Sequence, residues 1–270
     1  MADQPTYKLG KAPAVPGAVK LKLSDYLDTA KLPKLPQQFG HAHLIKDWGM
    51  FGNDKCGDCA FAGAYHETML WNAEAGKTVR VDDRTVVGQY SAFTGYDPSK
   101  TNMWGENPSD QGTIVTDLIK HRATVGLPDA DGKMHKIGAY VALEPGNLTE
   151  LWYATYLFDG VGVGVSFPEE WMTAFNNGQP WDRVQKPTPA GGHYICGVSQ
   201  VNNMLGIVTW GRLHWMTPAG YQQFNDESYA YLSEERLAGG HGPGPQHVAR
   251  DINGFNLAQL RADIAEITKQ

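Results

Sequence analysis

The chain has 270 residues, 41% of them hydrophobic, and its aromatics (Phe 9, Trp 8, Tyr 12) suffice for a substantial core, which excludes global disorder. A formal net charge of −6, with no long Lys/Arg run, argues against nucleic acid or an anionic membrane as the main partner. Three cysteines are too few for a disulfide framework at this length and suit a reducing compartment or a single reactive thiol.

Residues 1–34 carry Pro13, Pro16 and Pro33 and one short amphipathic stretch, Leu23 to Leu32, and read as an extended arm wrapped on a neighbour rather than a domain. The opening Met1-Ala-Asp-Gln-Pro lacks the charged-then-apolar pattern of a secretory signal. The most apolar stretch, 154–167, contains Asp159 and several glycines and is too short to span a bilayer. A soluble, cytoplasmic protein with no membrane partner is therefore expected.

From Leu35 the composition becomes globular. Helical spacing of Phe61, Tyr65, Met69 and Asn72, with Gly76 as the stop, predicts a helix from about Asp58 to Ala75. A second covers about Thr113 to Thr124, and a third about Leu148 to Phe158, with Trp152 and Tyr156 on one side. The texture then changes. Val161 to Phe167 alternates Val and Gly, a strand that lets another backbone approach closely. His193 to Ser199 and Leu205 to Trp210 are apolar runs flanking the turn signal Asn202-Asn203, and Tyr229 to Leu232 is a fourth run. The expectation is an α+β chain with a helical lobe (35–145), a β-rich lobe (146–237) and a tail (238–270). In the tail a Gly/Pro linker leads to an amphipathic helix from Asn256 to Thr268, which docks on its own body or on another subunit to give an oligomer.

The segment Gly52-Asn-Asp-Lys-Cys-Gly-Asp-Cys-Ala-Phe-Ala is the most informative. Cys59 opens the long helix, where unpaired amides and the macrodipole favour a thiolate, and Asp58 beside it works weakly the other way. Such a sulfur becomes a nucleophile when a histidine exchanges protons with it. Of nine histidines, His193 stands out, because Gly191-Gly192 precede it and an apolar strand follows. The separation, 193 − 59 = 134 residues, fits the roughly 130–150 of papain-like Cys-to-His spacing.

The chain resembles a divergent member of the papain-like cysteine peptidase superfamily. The likeness is carried by Leu35-Pro, Asp47-Trp48, Asn53-x-x-Cys56-Gly-Asp-Cys59-Ala-Phe, Asp110-Gln-Gly112, Val161 to Phe167, Gly192-His193-Tyr and Gly206-Ile-Val-Thr-Trp210-Gly211. The resemblance implies a papain-like two-lobe fold, with a helical lobe, a β-barrel-like lobe and the cleft between them. It further implies Cys59 and His193 as the catalytic pair and Asn53 as oxyanion donor, where the family carries glutamine. Gln111, Gly112, Gly192 and Trp210 would line the substrate, a peptide or small amide, with no cofactor or metal. Val208 falls where the family has its imidazole-orienting asparagine, so Asn202, Asn203 and Thr209 are the candidate orienters. The 34 residues in front are too few for a large inhibitory pro-domain, so control of that type is not expected.

Other readings stay open at this level. One is a catalytically weak or inactive scaffold, suggested by Val208 and Asn53. Another is a Cys56-x-x-Cys59 redox site, and a third is a zinc site joining those thiols to His41 and His43. His66 reads as a boundary residue, Cys196 as an inert core thiol, and a Cys56–Cys196 disulfide is disfavoured by the reducing compartment.

Overall fold

The computed structural model describes residues 7–233, 258–260 and 262–263. Helix α1 (Cys59–Glu74) is buried on almost every side, from Cys59 and Phe61 at its start to Leu70 and Glu74 near its end. Against it lie α2 (Asp83–Thr94) and α3 (Val115–Thr124). Helix α2 is mostly polar and fully buries only Val86 and Tyr90, with Val87 and Phe93 packed alongside, yet its ends are well specified. The Asp82 carboxylate accepts from Thr85 N–H at 2.8 Å, and Gly95 closes the helix at φ 80°. Three further helices, α4 (Leu148–Phe158), α5 (Glu169–Asn176) and α6 (Pro218–Phe224), belong to the second half of the chain.

The strands are β1 (Phe39–Gly40), β2 (Leu127–Pro128), β3 (Met134–His135), β4 (Ile137–Leu143), β5 (Val161–Pro168), β6 (Pro189–Val201), β7 (Met204–Thr209), β8 (Arg212–Met216) and β9 (Asn225–Ser233). All but β2 and β3, which form their own ribbon, join one antiparallel sheet ordered β4-β9-β5-β6-β7-β8, with β1 against β6. Among the described residues this path is open, with no pairing that joins β4 to β8 into a barrel. Strand β4 belongs to the sheet although its sequence position falls in the expected helical lobe. Its alternating burial reflects one face on the core and one half-exposed.

Two hairpins fix the register around the site. Asn202 and Asn203, at φ 51° and 60°, make the tight turn between β6 and β7 that their sequence predicts. Trp210 and Gly211, at φ 44° and 74°, make the next one. Trp210 therefore ends the strand instead of lying in it, and its backbone is held in a region that bulky residues disfavour.

The Val-Gly alternation of β5 separates two environments. Val161, Val163 and Val165 face a core with Leu151, Phe158 and Ile195. Gly162 and Gly164 face the other way, and side chains, not a backbone, fill the space they leave. A Cβ on Gly162 would meet the Tyr194 hydroxyl at 1.8 Å, and one on Gly164 would meet Glu227 Cγ at 2.6 Å. Around α1 a second core gathers Phe61, Tyr65, Tyr90, Leu118, Tyr194 and Tyr231. Of the tail, the Gly/Pro linker and most of the expected helix lie outside the described residues. The described part is helical, with Leu260 buried in the first core and Tyr26 donating to Asp263 at 2.8 Å.

Candidate active site

Cys59 is the first residue of α1, where the amides of the first turn have no intrahelical partner. Helix α1 packs on β6, and Tyr194 of β6 lies over Gly63, whose missing side chain makes room for the ring. His193 precedes Tyr194 on that strand and is 1% exposed. Its Nε2 lies 2.7 Å from Thr209 Oγ1 on β7, while its buried Nδ1 has no hydrogen-bond partner. The Trp210 indole stacks on the imidazole, with ring centroids 4.5 Å apart.

Of the three candidate orienters, the imidazole therefore meets Thr209. Asn202 and Asn203 sit exposed in the β6–β7 turn. Val208, expected where an orienting amide would stand, points to the opposite face and packs with Trp48, Leu70, Cys196 and Val198. Val208→Asn would bury an amide among these apolar groups and is expected to cost about 2–4 kcal/mol in urea denaturation. An unchanged midpoint would contradict this packing.

Asn53 is buried, and its side-chain N–H donates to Cys56 O at 3.2 Å. Its amide is thus committed to the loop that leads into α1. Asp110 braces the same loop, accepting from Gly57 N–H at 2.9 and 3.1 Å. Tyr90 donates to that carboxylate at 2.5 Å and accepts from Gly112 N–H at 3.0 Å, which ties the Gly112 turn to the nucleophile loop. Gln111 is exposed and donates to Pro108 O at 2.8 Å.

The N-terminal arm runs through this site. Lys8 N–H donates to Asn53 O, and Trp210 Nε1–H donates to Lys8 O at 3.1 Å. Gly10 and Lys11 N–H both donate to Gly192 O, at 3.1 and 3.0 Å. Thr113 N–H donates to Gly10 O at 2.8 Å, and Ala12 N–H returns a bond to Thr113 O at 2.9 Å. Tyr7 stacks on Trp210. Only glycine fits at the narrowest point, since a Cβ on Gly10 would meet Gly57 O at 1.8 Å and one on Gly112 would meet Gly10 O at 2.3 Å. Gly112, Gly192 and Trp210 all touch the arm. Residues 7–12 of the arm thus occupy the cleft along Gly192, Thr113 and Trp210.

Burial sets the electrostatics. It pushes the Cys59 thiol up to about 12, against the pull of the neighbouring Tyr194 and Gly10 backbone amides. It holds His193 down at about 3, with the Lys11 ammonium adding to the effect. With the arm seated, thiol and imidazole are both neutral. Asp58 is wholly buried and driven by that burial well above the carboxylate range, and its charge adds to the upward push on the Cys59 thiol, as its place beside the sulfur predicts.

The other sequence readings fare differently. All three cysteines are buried free thiols, and Cys56 donates to Gly52 O at 3.6 Å. His41 Nδ1 is in hydrogen-bond contact with the Glu74 carboxyl at the far end of α1, roughly 22 Å along a 16-residue helix from Cys59, so His41 cannot join those thiols in a zinc site. His41, Glu74 and Asp159 instead form the one cluster among the described residues whose atoms converge as metal ligands could. His66 is core, not boundary, packed edge-on to Trp48 with Nε2 3.1 Å from Gly49 O. Sequence reasoning missed Lys11, Tyr90, Asp226 and Glu227, and reached Asp110 only as part of the Asp110-Gln-Gly112 turn. Only the adjacent acids Asp226-Glu227 at a strand start gave any local hint.

No sequence-family profile and no curated protein sequence matches the chain. Solved structures do. Xylellain, a cysteine protease from Xylella fastidiosa, aligns with a TM-score of 0.59 at 13% identity over 86% of this chain and 98% of its own. Procathepsin B S9 from Trypanosoma congolense aligns at 0.56 and 8% identity, covering 84% and 87%. The Carica candamarcensis cysteine protease CMS1MS2, solved with E-64, aligns at 0.52 and 12% identity, covering 73% and 99%.

Proposed function

We propose that this chain, which has the papain-like fold, is a thiol-dependent hydrolase of peptide or amide bonds. The observation that carries the reading is the state of His193, whose Nε2 is held by Thr209 while its buried Nδ1 is left without a partner on the strand packed against Cys59. A neutral imidazole that gives its Nε2 proton to Thr209 keeps a lone pair on Nδ1, the form able to take the thiol proton.

Cys59 then attacks the carbonyl carbon. The S–C bond forms and the thiol proton passes to His193, which delivers it to the leaving amine as the C–N bond breaks. Water, deprotonated by the same imidazole, hydrolyses the thioester and restores the thiol. The Cys59 backbone N–H is the oxyanion donor at hand, and Asn53 contributes only if its amide leaves Cys56 O. Trp210 shields the imidazole from water on one face.

The test is modification by iodoacetamide and turnover of a peptide library in a Gly10→Val background, where a side chain colliding with Gly57 O keeps the arm from its seat, comparing that chain with the same chain carrying Cys59→Ala or His193→Ala. Selective labelling of Cys59 that slows in His193→Ala, with turnover lost in both variants, is the expected result. A Cys59 that reacts like any free thiol with or without His193 would leave a non-catalytic scaffold as the reading. Thr209→Val keeps the shape but loses the hydroxyl, and is expected to lower kcat by about 10–100-fold with little change in KM. A hydroxyl can also donate to Nε2, so it fixes the tautomer less firmly than a carbonyl acceptor would.

A further inference from the structure

We infer that the acidic pocket formed by Asp226 and Glu227 beside Cys59 selects a lysine or arginine side chain in the substrate peptide, and that Lys11 of the arm is its intramolecular placeholder. This rests on the hydrolase reading above and adds a substrate class to it.

The Lys11 side chain has no exposed surface, which is rare for lysine and requires compensation. Its Nζ lies 3.0 Å from Asp226 Oδ2 and 3.2 Å from Glu227 Oε1, and donates to Ala12 O at 3.1 Å. The pocket is shaped for an alkyl stem as well as for a charge. Gly164 forms one wall, and a Cβ there would come within 2.9 Å of Lys11 Cδ and 3.1 Å of Cε. The two carboxylates are themselves held in place, Glu227 accepting from Tyr229 at 2.7 Å and Asp226 from Ser166 at 3.0 Å.

Position makes this a substrate subsite rather than a remote anchor. Lys11 is clamped by backbone bonds to Gly192 on one side and bridges to Thr113 on the other, and Gly10, its neighbour, lies beside the Cys59 sulfur. A peptide that reaches Cys59 has to take the place of the arm along the same two edges. An apolar side chain entering the pocket would strip both carboxylates of their counter-charge, and Glu227 is only 6% exposed. A basic side chain restores the pair. Discrimination therefore arises from the cost of orphaning two acids as much as from a new attraction.

Full-length Cys59→Ala protein, which binds without turning over, is titrated with fluorescent peptides identical except for lysine, norleucine or glutamate at one position. Norleucine keeps the stem and removes only the ammonium. The same peptides are offered to the active chain, and both measurements are repeated with Asp226→Asn and Glu227→Gln. Arm competition is common to all peptides and cancels in the lysine-to-norleucine ratio within each variant. That ratio is expected to be at least about tenfold in the parent and to fall below about twofold when both carboxylates are replaced. A parent ratio near one, or one that the carboxylate variants leave unmoved, overturns the inference. Lysine-selective binding without hydrolysis would keep the pocket and remove the hydrolase reading. Hydrolysis without lysine selectivity would do the reverse.

Discussion

Gly10→Val is expected to raise the rate of Cys59 alkylation at pH 7 by at least about 100-fold. Any side chain at this position collides with Gly57 O, which sits where the Cβ would go, so the arm cannot take its seat. With the arm seated, Cys59 is 1% exposed and its thiol is pushed up to about 12. A thiol with that pKa is ionised to about one part in 10⁵ at pH 7, whereas an ordinary solvated thiol is ionised to about 3%. Arm release relieves the burial of Cys59 and His193 together and removes the Lys11 charge that holds the imidazole neutral. The pH profile supplies a second readout. In the parent chain labelling stays slow until well into the alkaline range, and in Gly10→Val its rise moves to lower pH. Labelling followed by mass spectrometry at Cys59 measures both, and an unchanged rate in the variant would show that the arm does not limit access.

Arg122→Met is expected to cost about 3–5 kcal/mol and to lower the midpoint of thermal unfolding by about 10 °C, because it strands Glu67 as an unpaired buried carboxylate. Arg122 Nη1 donates to Glu67 Oε2 at 2.6 Å, and both side chains are nearly inaccessible. The guanidinium also lies over the rings of Tyr231 and Trp71. Tyr194 donates to Glu67 Oε1 at 2.8 Å and sits 2.8 Å from the Tyr231 hydroxyl. This network fastens α1, α3, β6 and β9 together directly behind the Cys59–His193 region. Calorimetry on the single variants and on Glu67→Leu/Arg122→Met separates two contributions. The double variant recovers stability if the loss came from the orphaned charge, and it recovers none if the network's geometry itself is what matters.

Much of the fold around the site was legible because its signals are local. The long apolar helix after Cys59, the Asn202-Asn203 turn and the Val-Gly strand each declare themselves within a dozen residues. Helix α2 escaped because it buries little beyond Val86 and Tyr90, although Asp82 and Gly95 were capping signals in plain sight. Strand β4 had a clean two-residue alternation and was overlooked beside the stronger helical patterns. Thr209 was one of three candidate orienters, and nothing local chose among them. Val208 and Thr209 point to opposite faces of β7, and which face meets His193 depends on the register with β6. The Lys11 pocket left no local signature beyond the adjacent acids Asp226-Glu227, since its parts come from three distant places in the chain.

That separation bears on how the molecule is made. The arm leaves the ribosome before its seat, which is built from Gly192, Trp210 and Asp226, and Lys11 is 215 residues from its Asp226 partner. Contacts so distant in sequence form late, after the local helices and hairpins have gained their own stability. During synthesis the nucleophile's helix can therefore pack before anything covers the sulfur. That order predicts an interval in which Cys59 is built but unguarded, with the arm closing the cleft late in folding.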